Sequence, residues 1–102
     1  MGMSDTVRES LSLFRSGVKP EEIAERRNLV PGTIYGHLAT AVENGEPLRM
    51  EDFFSAEDER LMSTALEKAS GILSAAKEFL GGRFDYGPLR LYCALRGKGA
   101  RG

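Results

Sequence analysis

Along almost the whole chain, apolar residues recur at the three- and four-residue spacing of an amphipathic helix, and glycine or proline breaks the pattern repeatedly. A chain so punctuated cannot form one long helix, and no stretch alternates as a half-buried strand does. It is expected to fold as several short helices packed around one shared core. Its 102 residues suffice for one such core and not for two.

Thr6-Val7-Arg8-Glu9 reads as a capping box that starts the first helix, with Val7, Leu11 and Phe14 on one face and Gly17 as the stop. Pro20 suits the first turn of a second helix, where Glu21 and Glu22 favour the positive end of its dipole. Ile23 and Ala24 face inward, and Asn28 can take the left-handed turn that ends it. Pro31 opens a third helix with Ile34, Leu38, Ala41 and Val42 as its inward stripe, and Asn44-Gly45 stops it. After a bridge containing Phe53 and Phe54, Ser55 caps a fourth helix through Leu61, Met62, Ala65, Leu66 and Ala69. Gly71 interrupts, and Ile72, Leu73, Ala76, Phe79 and Leu80 form a fifth stripe. Asp85 caps a last helix through Leu89, Tyr92, Cys93 and Leu95. The expectation is an all-α single domain: a three-helix front half carrying a helix-turn-helix, then a two- or three-helix C-terminal half. Residues 1–3 read as a start placed before an internal fragment, residues 4–96 as the domain and residues 97–102 as a flexible, basic, glycine-rich tail.

The helix-turn-helix rests on Glu22 to Leu38. Ala24 permits a close helix crossing, Asn28 takes the turn, Leu29 plugs it, and Ile34 and Leu38 anchor the second helix on the first. In this motif the second helix normally enters the major groove, where Arg, Lys, Asn or Gln reads base edges. Opposite its apolar stripe lie Gly32, Gly36, Ala39, Thr40 and Glu43, none of them basic or an amide. That face is small and smooth, suited to electrostatic contact at best or to packing against a protein surface.

Charge sharpens the picture. Fourteen basic and fifteen acidic groups nearly cancel, but residues 46–80 hold four basic and eight acidic groups, whereas residues 81–102 hold five and one. Phosphate should be repelled from the middle and attracted to the C-terminal end. The candidate DNA contacts are Lys19, Arg26, Thr33, Tyr35, Thr40, Arg96, Lys98 and Arg101. Arg26 can instead pair with Glu22, and Arg27 can lay its stem along the core. Tyr86 and Arg90, one turn apart, can stack, while Tyr86, Leu89 and Tyr92 suit a core or an interface.

Other chemistry finds little support. His37 is the sole histidine and Cys93 the sole cysteine, so no internal disulfide, metal site or Ser-His pair is expected, and both residues suit packing roles. Glu57, Asp58 and Glu59 cluster where a helix dipole explains them. Gly97-Lys98-Gly99 lacks the spacing of a phosphate-binding loop, so no cofactor is expected and the chain is not expected to hydrolyse ATP. The uncharged stretch Leu29–Val42 contains Pro31 and two glycines and cannot span a membrane, and no secretory leader is evident. A cytoplasmic location is expected.

The stretch LFRSGVKPEEIAERRNLVPGTIYGHLATAVENGEPL, followed by GRFDYGPLRLYCAL, resembles the helix-turn-helix module at the C-terminal end of bacterial RecQ-type ATP-dependent DNA helicases, over about residues 6–96. A shorter resemblance, to LuxR-type regulators, covers residues 22–38. The longer one implies an accessory DNA-contacting module that serves repair and recombination, with its ATP motor outside this chain. It differs at the caps, where Lys19 and Val30 stand in place of the family's usual Ser or Thr. Three roles therefore stand: a helicase accessory module contacting DNA weakly and without sequence preference, a protein-interaction domain with an intramolecular or separate partner, and a transcription regulator.

Overall fold

The computed structural model describes residues 3–97. They form six α-helices: α1 (Asp5–Arg15), α2 (Pro20–Arg27), α3 (Pro31–Glu43), α4 (Ala56–Lys68), α5 (Leu73–Phe79) and α6 (Tyr86–Leu95), with one 3-10 turn at Met50–Asp52. The described residues contain no strand. The fold is one all-α domain.

Helix boundaries follow local chemistry. Ser4, not Thr6, caps α1: its Oγ accepts from the Val7 amide at 3.4 Å, so the helix begins earlier and gains Asp5 in its first turn. Thr6 is thereby freed for a tertiary role. Asn28 adopts φ 58° and ψ 44°, and the Leu29 amide closes the turn on the Ala24 carbonyl at 2.8 Å. Prolines open α2 and α3 without any side-chain cap. Ser55 caps α4 through the Asp58 amide, and Asp85 caps α6 through the Tyr86 amide. Ser70 and Gly71 both take positive φ, which turns the chain sharply from α4 into α5.

Helix α3 is the axis of the core. Ile34, Leu38, Ala39 and Ala41 are all buried, with α1 and α2 packed on one side and α6 on the other. Ala39, expected to face outward, is fully buried because Leu89 and Leu91 bring α6 down on that side. Phe54 joins the halves with its ring edge-on to Phe84 and Tyr92, at 6.4 and 6.1 Å between centroids. Three apolar expectations fail. Leu29 does not plug the turn and is 37% exposed, while Ile72 and Phe79 stay in solvent because short α5 presents mainly Ala76 to the core.

Ala24, 2% exposed, lies in α2 where it packs with α3. Ala24→Leu is expected to push the helices apart and cost about 1–3 kcal/mol, read as a lowered melting temperature. A melting curve matching that of the parent would contradict this crossing.

Candidate nucleic-acid interface

A helix-turn-helix reads DNA only if the outer face of its second helix is open. Here α6 packs along part of that face, while the directions in which side chains at Gly32 and Gly36 would point stay open. A Cβ placed on Gly87 would lie 2.5 Å from the Gly32 carbonyl oxygen and 3.1 Å from Tyr35 Cβ, so α6 and α3 meet at backbone distance. One turn further, Arg90 straps across α3. Its Nη2 donates to Glu43 Oε1 at 2.7 Å and to Thr40 Oγ1 at 3.0 Å, and its Nε to Glu43 Oε2 at 3.3 Å. The smooth face thus has an intramolecular partner. Arg90 does not stack on Tyr86, which instead lies beneath Lys77 Nζ, 4.8 Å from the ring centre.

Of the predicted contact residues, the structure brings Lys19 and Tyr35 to one groove. Thr40 lies under the Arg90 strap with its hydroxyl engaged. Tyr35 is half-buried and its Oη donates to Glu21 Oε2 at 2.8 Å. Burial, reinforced by Glu21, raises its phenol well above the ordinary range, so the proton stays on Tyr35. Thr33 is exposed in the first turn of α3, beside Val30, which is 65% exposed. Arg26 pairs with Glu22 at 2.8 Å on the outer surface of α2, a contact of small energetic weight. Lys19 is exposed at the start of α2, and no carboxylate among the described residues pairs with it. Arg96 is exposed, its guanidinium 5.3 Å from the Tyr92 ring centre. Lys98, Arg101 and the tail beyond Gly97 lie outside the described residues.

Two features were not apparent from the sequence. The first is a polar lock at the junction of α1, α2 and α3. Arg27 Nη1 donates to the Thr6 carbonyl at 2.9 Å and to Ser10 Oγ at 2.6 Å, while Nη2 donates to Thr6 Oγ1 at 2.9 Å. Ser10, fully buried, is 2.8 Å from His37 Nδ1. Because a guanidinium only donates, the Ser10 hydroxyl accepts from it, which leaves the hydroxyl hydrogen available to Nδ1 when His37 carries its proton on Nε2. The second is an aromatic cluster beside the α1–α2 turn. Phe14 and Phe53 stack at 4.8 Å, with Tyr35 edge-on to Phe53 at 6.5 Å. The small residues Gly32 and Gly87 were the one available signal of the α3–α6 approach.

The lock makes stability depend on pH. Burial, and secondarily the Arg27 charge, hold the His37 imidazole below its ordinary pKa of 6.5. Between the folded value and 6.5 the unfolded chain binds more protons, so this contribution is complete above pH 6.5 and shrinks as pH falls below it. His37→Gln, which retains a hydrogen-bond acceptor but does not titrate, is expected to flatten the melting temperature between pH 7.5 and 5.5. An unchanged slope in the variant would exclude His37 as the source.

A family model described as a helix-turn-helix domain matches residues 6–93. The chain belongs to this helix-turn-helix domain family. No curated protein and no solved structure matches it. The matched span runs through α4 and α5 into α6, so the helix that covers α3 is part of the family unit. Membership suggests possible DNA binding. Among the described residues, no helix is long and apolar enough to cross a membrane, and no three His, Cys, Asp or Glu side chains gather as a metal site.

Proposed function

We propose that this helix-turn-helix domain is an accessory module of a RecQ-type DNA helicase, making weak, largely sequence-independent contact with nucleic acid in the cytoplasm. The observation that carries this reading is the outer face of α3, along which α6 packs. With Gly87 against Gly32 and Arg90 held by Glu43 and Thr40, the helix that would read bases carries no Arg, Lys, Asn or Gln to offer a major groove. Phosphate contact through exposed cations is what remains, and Lys19 and Arg96 are placed for it. The resemblance over about residues 6–96 supports the helicase context, and the motor would belong to other parts of such a protein.

The test is a salt series. If Arg96, Lys98 and Arg101 each neutralise one phosphate, log K should fall with log salt at a slope of about −2 to −3. Truncation after Leu95 should flatten that slope and weaken binding alike on all sequences, with the melting temperature nearly unchanged. Equal slopes in both chains would remove the tail from the interface. A selected consensus site would favour a regulator instead.

A protein-interaction role is the second reading, and exposed apolar side chains favour it: Val30 at the helix-turn-helix turn, and Ile72 and Phe79 around α5. Failure to bind any oligonucleotide at low salt would favour this reading over DNA contact.

A further inference from the structure

A groove of about 680 Å³ lies between the α1–α2 turn and the 3-10 turn, away from the covered face of α3. The stacked rings of Phe14 and Phe53 line it, both partly exposed, and Tyr35 stands edge-on to Phe53. Arg15, Lys19 and Arg49 share the lining. Arg15 is held by Glu46 at 2.8 Å, but Lys19 has no ion pair among the described residues. Arg49 meets Glu51 only at 3.9 Å, with 73% of its side chain exposed. Of the two lining carboxylates, Glu21 receives the Tyr35 hydroxyl, leaving Asp52 as the one without a partner.

Aromatic rings beside an unpaired lysine and a loosely paired, mostly exposed arginine suit a ligand that alternates flat rings with phosphates. The neighbouring groove by Phe84 does not share this property, because three carboxylates, Glu21, Asp58 and Asp85, line it against two cations, Lys77 and Arg83, and both cations are paired. A base still paired in a duplex cannot present its face to recessed rings, whereas an unpaired one can. We infer that this groove binds single-stranded DNA, stacking one unpaired base against the Phe14–Phe53 pair while Lys19 and Arg49 hold the flanking phosphates. This rests on the nucleic-acid reading above and names its site and substrate class.

The experiment titrates the full chain at low salt with a labelled oligothymidine and with a hairpin duplex of equal charge. The parent should prefer the single strand. Lys19→Gln combined with Arg49→Gln should weaken that binding several-fold and reduce the salt slope by about one to two. Asp52→Asn should tighten it about two-fold by removing the opposing charge. Phe53→Leu should lower affinity at least five-fold, on the order expected for a lost stacking partner. Because Phe53 also contributes to packing, the two polar variants, each with an unchanged melting temperature, carry the test independently. Truncation after Leu95 should weaken both nucleic acids while keeping the preference for the single strand. Binding by the parent that is indifferent to the groove variants, or equal affinity for the duplex, would overturn the groove and leave the general DNA reading in place. No binding of either probe would overturn both.

Discussion

Gly87→Ala is expected to lower the melting temperature by at least about 10 °C, corresponding to a cost of about 3 kcal/mol in a domain of this size. The added methyl would sit 2.5 Å from the Gly32 carbonyl oxygen, with Gly32 Cα and Tyr35 Cβ both at 3.1 Å. Two of these neighbours are backbone atoms in the first turn of α3, so no rotamer change relieves the clash and the helices themselves must separate. Separation would open contacts around Leu89, Leu91 and Ala39, all fully buried. Gly36→Ala is the matched control. Its methyl would meet only Arg90 Nη1, at 3.9 Å, and alanine is the better helix former, so stability should rise by about 0.5–1 kcal/mol. Thermal melts of both variants measure the α3–α6 approach directly. Equal, small effects would contradict the close α3–α6 approach.

Arg27→Met is expected to cost about 2–4 kcal/mol, since the guanidinium makes three charge-assisted hydrogen bonds from a side chain that is only 12% exposed. The bonds share one group and will not add independently. Arg27→Lys should recover only part of the loss, because an ammonium cannot reproduce the planar fork that reaches both Thr6 and Ser10. Arg26→Met, which removes an exposed pair with Glu22, should change stability by less than about 1 kcal/mol. A second readout separates the lock from simple packing. Without the Arg27 charge the His37 pKa should rise toward 6.5, and the loss of stability in mild acid should diminish. Titration of the His37 ring by NMR in both proteins checks the direction.

Local chemistry explains why so many helix boundaries were legible. Pro20 and Pro31 preset the backbone, Asn28 tolerates the left-handed turn, and Ser55 and Asp85 hold helix-end amides one to three residues away. Each of these effects acts within about one helical turn, so neighbouring residues suffice to see it. Even so, Ser4 displaced the expected Thr6 cap, because either hydroxyl could start α1 and tertiary contact with Arg27 engaged Thr6 instead.

The same limit applies to the candidate interface. The lack of base-reading groups on Gly32, Gly36, Ala39, Thr40 and Glu43 could be read from a helical wheel. Whether that face meets solvent, DNA or protein could not, because the occupant comes from some fifty residues later in the chain: Arg90 reaches Glu43 across 47 positions and Thr40 across 50. The pairing of Phe14 with Phe53 likewise joins α1 to the linker after α3. Sequence alone determined the helices, their order and the helix-turn-helix, since periodicity and capping are properties of adjacent residues. Tertiary structure alone decided that α6 covers α3, that Arg27 locks three helices, and that an aromatic groove stands open beside Lys19. Each of those outcomes depends on distances set when the apolar faces share one core, and no local pattern encodes them.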